Sequence, residues 1–349
     1  MPKSHSTRFG EPERIAWSHK FLSASHELVD DKLNKKLLKL VDAEFLTYGI
    51  SAAKFVSALK HEELAAYQSR LLKTYLSHPK KYLSLDCDRI TLVMDITDND
   101  LKSLTDDSFY KPASTARSKL YKVEHLNVGS LNRKGGNKHK PYYDQGYKLT
   151  LYNDTRRFMH VAIATGTEPK RPKKSLRIDY IPQRFTDFEQ RLLLSHIKSK
   201  LTSKRYDQLI ANARVTRIDI GVNFPGLLST FVWPCTQREL TCSVVPKANK
   251  QVTETVYLGS KGTSNHFILY EKLLKELEAE KTDYLPTPSS RKKVLKTLAV
   301  TTRLERRYWP SRESGNSKNE ERKKNNELTF EELSNNALSC KLETVGFIE

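Results

Sequence analysis

The sequence predicts an α+β fold, a mostly antiparallel sheet with packed helices that is preceded by an N-terminal helical region. Apolar residues recur at helical spacing as far as Leu76, whereas short β-rich segments of alternating polarity recur from Leu85 to Tyr308. A capping box formed by Thr186 and Glu189 predicts a helix between two of these segments. With 349 residues, 38% of them hydrophobic, the chain can bury the core of one large domain or of two smaller ones.

The N-terminal region is predicted to contain three helices. Residues 33–45 carry an apolar stripe, after which Gly49 supplies a C-cap and Ser51 an N-cap around a short turn. The second helix covers Ser51–Lys60. Two interpretations are open for this pair: a helix-turn-helix that reads DNA with its second helix, or a plain helical hairpin. The third helix is predicted over Glu62–Leu76.

Strand signals dominate residues 83–310, and we place the domain boundary near Tyr82. Strands are predicted over Ile90–Ile96, Tyr121–Val128, Tyr147–Tyr152, Met159–Thr165, Leu176–Ile181, Val215–Val222, Val252–Leu258, His266–Tyr270 and Leu298–Tyr308. The helix that begins at Thr186 is predicted to run to about Leu201, between the fifth and sixth strands. Residues 311–349 are predicted to form a charged linker and a short C-terminal helix. The predicted domains are therefore 1–82, 83–310 and 311–349.

The charge of the chain favours a polyanionic partner. Sixty Lys and Arg residues against 41 Asp and Glu residues give a net charge of +19, which fits nucleic acid above all. No apolar run approaches the roughly 20 residues of a membrane-spanning helix, and no signal-peptide pattern opens the sequence. We therefore expect a cytoplasmic protein that binds no membrane. The four cysteines have neither disulfide-framework nor zinc-site spacing, so we expect reduced thiols.

One basic loop stands out between the second and third predicted strands. The run NRKGGNKHK contains Arg133, Lys134, Lys138 and Lys140, and two tyrosines follow it. A flexible cationic loop beside aromatic rings suits phosphate contact and base stacking. The alternative interpretation is a solvated hairpin loop.

Tyr270 lies where a strand pattern passes into a helix pattern. Residues 266–270 alternate like a half-buried strand, and leucines at helical spacing follow from Leu273. A phenol is a weak nucleophile near its free pKa of ~10, so it needs a cation, a base or a metal-polarised phosphate nearby. Lys272 is one such cation. Tyr270 is a candidate nucleophile towards DNA, and the alternative is an ordinary amphipathic strand tyrosine.

A three-residue pattern of arginine, apolar residue and acid recurs in three predicted strands. It occurs as Arg177-Ile178-Asp179, Arg217-Ile218-Asp219 and Arg303-Leu304-Glu305. Strand alternation puts the arginine and the acid of each copy on one face. If the strands are near neighbours, Asp179, Asp219 and Glu305 converge on an oxygen-rich site for Mg²⁺ or Mn²⁺. The alternative is a set of cross-strand arginine–acid pairs on a hydrated face.

The run Val256–Lys272, VYLGSKGTSNHFILYEK, resembles the central motif of a known family, the Rep_trans type of replication-initiation factors of plasmids and filamentous phages, whose pattern is roughly YxGSRxSxxxIRIYxK. SLRIDYIPQRF and VTRIDIGVNF before this run, and TRLERR after it, resemble further family segments in the family's order. The resemblance covers about Leu85–Tyr308 and implies a nicking-domain fold. It implies that Tyr270 cuts one DNA strand and becomes linked to its 5′ phosphate, with Lys272 as the motif's lysine, whereas Tyr257 matches a non-nucleophilic tyrosine.

By the same resemblance, Asp219 and Glu305 are the expected metal ligands, Asp179 is a further candidate, and Mg²⁺ or Mn²⁺ is the expected cofactor. Arg303, like the basic loop, is a candidate DNA contact because of its charge. The sequence departs from the family pattern at three positions, where an arginine and two acids are replaced by Ile268, Asn223 and Arg307 respectively.

The resemblance thus implies a rolling-circle replication initiator that nicks and joins single-stranded DNA at a plasmid or phage origin through a 5′-phosphotyrosine. No P-loop is present in the sequence, so no ATP requirement is predicted. The expected partners are origin DNA, single-stranded or as a hairpin, and host replication proteins such as a helicase, and a homodimer is one oligomeric alternative. The rival hypothesis is a non-catalytic DNA-binding regulator that uses the N-terminal helices.

Overall fold

The structure, a computed structural model, describes residues 20–21, 23–24, 61–112, 119–126, 143–152, 156–167, 173–231, 233–236, 242–246, 253–259, 266–279, 289, 300–309 and 345–348. Three predictions lie outside these residues: the first two N-terminal helices, the C-terminal helix, and the basic loop with Arg133, Lys134, Lys138 and Lys140. Among the helices that the structure describes, none has the length and apolar character needed to cross a membrane.

Helices and strands alternate irregularly along the described chain. The helices are α1 (His61–Ser77), α2 (Pro79–Tyr82), α3 (Asp98–Thr105), α4 (Asp187–Lys198), α5 (Ser203–Ala211) and α6 (Lys272–Ala279). The strands are β1 (Leu85–Asp95), β2 (Tyr121–His125), β3 (Gln145–Leu151), β4 (Phe158–Ala164), β5 (Ser175–Tyr180), β6 (Arg214–Pro225), β7 (Trp233–Thr236), β8 (Cys242–Pro246), β9 (Thr253–Leu258), β10 (His266–Glu271), β11 (Thr301–Tyr308) and β12 (Val345–Ile348).

The predicted fold class is confirmed, since the described chain combines helices with an antiparallel sheet. The pairs β1–β5, β2–β3, β3–β4, β4–β5, β8–β9, β9–β10 and β7–β12 are all antiparallel. The predicted third helix is observed as α1, and each predicted strand has an observed counterpart within a few residues of its bounds, except that Leu85–Asp95 begins five residues early.

The helix predicted from Thr186 to about Leu201 is observed as α4, and a second helix that the sequence analysis did not predict, α5, follows it. Thr186 caps α4 as predicted, because its side chain and that of Glu189 each accept the other's backbone N–H. However, α4 ends at Lys198, and Thr202 then caps α5 by accepting the backbone N–H of Arg205 at 3.2 Å. This second cap has no acid three residues on, so the capping-box pattern did not reveal it.

Contacts divide the chain into two compact units. The first contains Cys87–Asp219 and the described residues from Arg307 to Trp309; the second contains the described residues up to Asp86, Ile220–Arg306 and β12. Strands β1, β6 and β11 contribute residues to both. The strand order is β2-β3-β4-β5-β1-β6 among the strands of the first unit and β6-β11-β10-β9-β8 among those of the second. The predicted domains 1–82, 83–310 and 311–349 stay predictions.

In the second unit, α1 packs on one face of the sheet. Its apolar side chains, among them Leu71 and Tyr75, share a buried cluster with Phe224 and Leu269. The buried Gln68 also joins the helix to the turn after β6, where its amide donates to the Gly226 carbonyl at 3.0 Å and accepts from the Leu228 N–H at 2.8 Å. The core of this unit therefore combines an N-terminal helix with strands more than 140 residues further along the chain.

In the first unit, the sheet has one apolar and one polar face. The registers place Leu92 opposite Ile178 and Ile178 opposite Val161, and these side chains are at most 1% exposed. On the same side, Tyr121 of β2 bonds His196 of α4 at 2.9 Å, so α4 lies against the apolar face. Because side chains alternate, the neighbouring arginines and acids point to the opposite face.

A candidate active site around Tyr270

Strand β10 presents Tyr270 on the face of the second unit's sheet that points away from α1. The register places Tyr270 opposite Thr255 of β9. Phe267 and Leu269 belong to the cluster that contains α1, so alternation directs Ile268 and Tyr270 to the other face. Helix α6 starts directly after β10, which confirms the predicted strand-to-helix junction.

Tyr270 is hydrogen-bonded to a carboxylate of the neighbouring strand. Its hydroxyl donates to Oε2 of Glu305 on β11 at 3.2 Å. Both residues are buried, with relative exposures of 4% for Tyr270 and 7% for Glu305. A carboxylate in such surroundings interacts more strongly with the phenol than it would in water. The contact gives the phenolic proton a defined acceptor.

A lysine lies over the ring of Tyr270, but it is not the lysine that the sequence indicated. Nζ of Lys275 lies 3.9 Å from the ring centroid, and the Lys275 side chain is exposed. Lys272 instead pairs with Glu276, one turn along α6, at 3.3 Å. Sequence reasoning missed Lys275. The signal for it was the start of α6 at residue 272, because the first turn of a helix that directly follows a strand stays close to the last strand residues.

Tyr257, the other tyrosine of the motif, has different surroundings. It lies opposite Ile268 on β9, and its ring stacks on His266, with ring centroids 5.8 Å apart and an angle of 12° between the planes. The described contacts of Tyr257 thus include an aromatic stack, whereas those of Tyr270 include a carboxylate and an ammonium.

Arg303 is held inside the second unit by a polar network on the Tyr270 face. Its side chain is fully buried, and Nη1 donates to Asn223 Oδ1 at 2.7 Å and to Asp86 Oδ2 at 3.0 Å. The Asn223 amide in turn donates to Asp86 at 2.6 Å. A Cβ on Gly221 would lie 2.1 Å from the guanidinium, so only glycine leaves the space that it occupies. Full burial makes Arg303 a positioning group here, and its direct contact with DNA stays a prediction.

The two aspartates of the repeated pattern lie in the first unit, and arginines bind both. Arg89 donates to both oxygens of Asp179, at 2.7 and 2.8 Å, and Arg177 adds a bond of 2.7 Å. Burial alone would raise the pKa of Asp179, but the hydrogen bonds and charges of the two arginines outweigh it and lower the pKa. Arg217 binds both oxygens of Asp219 side-on, and Arg307 approaches within 3.4 Å.

These contacts leave Asp179 and Asp219 poorly suited to bind Mg²⁺ or Mn²⁺. Both oxygens of Asp179 and of Asp219 accept guanidinium N–H bonds, whereas a hard cation needs those lone pairs itself. Over the described ranges, no group of three or more His, Cys, Asp or Glu side chains could hold a metal ion. The assignment of Asp179, Asp219 and Glu305 as metal ligands stays a prediction that this geometry does not support.

Comparison with known proteins adds a weak structural similarity. No family model matches the chain, and no curated protein matches it. The chain is similar to the solved structure of the rolling circle replication initiator protein from Geobacillus stearothermophilus, with 13% identity and a TM-score of 0.31 over 65% of this chain and 75% of that one. A TM-score this low carries no argument about the function or the site residues of this chain.

Proposed function

We propose that this chain nicks and joins single-stranded DNA at a replication origin, with Tyr270 as the nucleophile. The observation that carries the proposal is the 3.2 Å hydrogen bond from the Tyr270 hydroxyl to Glu305, beneath the Lys275 ammonium. A nucleophile next to a base, with a third group that favours the ionised form, is the arrangement that covalent catalysis requires. The excess of basic residues fits a DNA substrate.

The reaction conserves the number of phosphoester bonds. The Tyr270 Oη attacks the phosphorus, the new Oη–P bond forms, and the bond from phosphorus to the 3′ oxygen breaks. The phenolic proton moves to Glu305, the leaving 3′ oxygen takes a proton from water and becomes a free hydroxyl, and Glu305 returns its proton to solvent, so the overall transfer is one proton from the phenol to the 3′ oxygen. The protein keeps a 5′-phosphotyrosine, and the reverse attack by a 3′ hydroxyl joins the strand again.

Lys275 favours this proton transfer by a modest amount. Reference pKa values of ~10 for a phenol and ~4.3 for a glutamate put complete transfer uphill by about 8 kcal/mol. A cation over the ring stabilises a phenolate, whose charge is spread into the ring, and this favours the developing charge in the transition state. Because Tyr270 is only 4% exposed, a bound phosphate has to displace part of what covers it, and the exposed Lys275 side chain lies there.

A divalent metal enters the proposal only through the family resemblance. The proton transfer above uses side chains of this chain alone. Adduct formation that survives EDTA would support that account, whereas a loss that Mn²⁺ restores would give Glu305 the role of metal ligand.

The direct test is incubation with single-stranded origin DNA, followed by a search for a protein–DNA band that resists denaturant. We expect wild-type protein to give the band and Tyr270→Phe to abolish it, with DNA affinity nearly unchanged because only the attacking oxygen is lost. An undiminished band in Tyr270→Phe would move the nucleophile elsewhere. Specific duplex binding without any adduct from wild-type protein would favour the rival function, a DNA-binding regulator.

A further inference from the structure

We propose that the polar face of the first unit's sheet binds single-stranded DNA with little sequence preference. This polar face is defined by Arg89, Arg177, Arg217 and Arg307 above the buried Asp179 and Asp219. It is independent of the tyrosine chemistry, and it would stand as a binding surface if that chemistry failed.

The registers and charges show that these residues share a face. Asp179 lies opposite Thr91 of β1 on one side and opposite His160 of β4 on the other, and His160 lies opposite Lys148 of β3. The charge of Asp219 on β6 also acts on Arg89 of β1. The face therefore extends over at least five strands of the first unit.

The face carries an excess of positive charge towards solvent. The four arginines and Lys148 outnumber the two aspartates by three charges, and Lys122 and Glu124 of β2, which pair with each other on the same face, cancel. The aspartate side chains are 3–4% exposed, whereas the arginine side chains are 19–35% exposed. Burial lowers the pKa of His160, although the charge of Asp179 raises it, so we do not count His160 among the cations of this face. The two aspartates lie underneath and their arginines outside, which is the polarity that a phosphate chain needs.

The aspartates also fix the orientation of the guanidiniums. Arg89 and Arg217 each bind their aspartate side-on through Nε and Nη2, so the Nη1 edge points away from the carboxylate. A guanidinium that is already fixed loses little conformational entropy when it binds a phosphate. The arginine–acid pairs thus preorganise phosphate contacts.

Aromatic rings lie beside three of these cations. Lys148 Nζ is 4.5 Å from the ring centroid of the half-buried Phe158. Arg217 and Arg307 lie 5.8 and 6.0 Å from the ring of Trp309. Unpaired bases stack on such rings while their phosphates meet the cations, whereas a duplex keeps its base faces covered. The combination favours a single strand over a duplex.

The test uses the full chain with Tyr270→Phe, so that binding is measured without covalent linkage. Fluorescence anisotropy with labelled (dT)20 and with a duplex of the same length gives the affinity from 50 to 300 mM NaCl. We expect Arg89→Gln with Arg217→Gln to weaken (dT)20 binding at least about tenfold, and to reduce the salt slope by about 1.4, or 0.7 per lost phosphate contact. The matched control is Lys198→Gln with Arg205→Gln, which removes two cations paired with Asp207 and Asp100 on the helices of the same unit.

An equal loss in the control, an unchanged affinity in the face variant, or tighter binding of the duplex would overturn the proposal. Photocrosslinking of (dT)20 that carries 5-iodo-deoxyuridine to protein with all arginines intact covers the case in which the face variant fails to fold. Crosslinks at Phe158 or Trp309 are expected, and crosslinks confined to other residues would refute the surface. Adduct formation by wild-type protein is scored separately, so failure here and failure of the nicking function are distinguishable.

Discussion

The same pattern of arginine, apolar residue and acid has opposite outcomes in the two units. In the first unit, the partly exposed Arg217 binds its own buried Asp219, and the acid serves to hold the cation. In the second unit, Arg303 is fully buried and its guanidinium binds Asn223 and Asp86. Glu305 instead accepts a hydrogen bond from the Tyr270 hydroxyl. The acid is structural in one unit, and the arginine is structural in the other.

The difference comes from the neighbouring strand. Gly221 on β6 leaves room for the Arg303 guanidinium, and Asp86 and Asn223 supply its hydrogen-bond acceptors. This network holds the Arg303 guanidinium, whereas Glu305, two residues further along β11, accepts a hydrogen bond from Tyr270 on β10. A local pattern therefore fixes which face the side chains share, and the neighbouring strands decide what they do there.

The largest expected effect comes from neutralising one acid in each unit. We expect Glu305→Gln to slow adduct formation by about 10²–10⁴-fold, the usual contribution of a positioned general base. Asp219→Asn should leave the rate of adduct formation within a few-fold of the wild-type rate, because the Asp219 carboxylate binds Arg217 and Arg307. Single-turnover adduct assays measure both. Equal losses in two folded variants, partly rescued by Mn²⁺, would identify both acids as metal ligands.

A second change tests the space for Arg303. Gly221→Ala is expected to lower the free energy of unfolding by about 1–3 kcal/mol, because its Cβ would overlap the buried guanidinium. Urea denaturation measures the loss. If Gly221→Ala is combined with Arg303→Met, the two losses should sum to more than the measured total, since the clash disappears with the guanidinium. Strictly additive losses would mean that the arginine does not depend on this glycine.

A smaller effect is expected from the cation over the tyrosine ring. Lys275→Met should slow adduct formation by about three- to tenfold, in the range of a partly exposed cation–π contact, and should move the rise of the rate with pH to higher pH. Lys272→Met is the matched control, because Lys272 pairs with Glu276. A larger effect in the control would return the role to Lys272.

The smallest effect concerns pH and Glu271, the half-buried acid at the end of β10. Burial raises the pKa of Glu271, despite hydrogen bonds from Ser229 and Thr302. Its ionisation therefore costs folding free energy as the pH rises above the unfolded value of ~4.3. Glu271→Gln should gain stability relative to wild type between pH 5 and 8, and little at pH 3. Asp179→Asn should behave oppositely, because a lowered pKa stabilises the fold above the unfolded value and the stabilisation is lost as the pH falls. Urea midpoints across this pH range test both signs.

The sequence predicted the features that depend on local spacing. Alternation predicted β10 and its junction with α6, and helical periodicity predicted α1. The contacts that define the site depend on distant residues instead: Arg303 binds Asp86, 217 residues away, and Arg89 binds Asp179, 90 residues away. The position of Lys272 in the motif predicted that it would be a cation next to Tyr270. The cation over the ring is Lys275 instead, because the start of α6 decides which lysine reaches Tyr270. Such contacts depend on which strands are neighbours in the sheet, and the sequence of one strand does not determine its neighbours.

The role of Tyr270 as the nucleophile is best tested by mapping the DNA-linked residue. Wild-type protein is incubated with single-stranded origin DNA, denatured, and digested with protease and nuclease, and the nucleotide-bearing peptide is sequenced by mass spectrometry. We expect the phosphodiester mass on Tyr270, and none in Tyr270→Phe. A linkage at Tyr257, or no linked peptide from protein that binds the same DNA, would contradict the account.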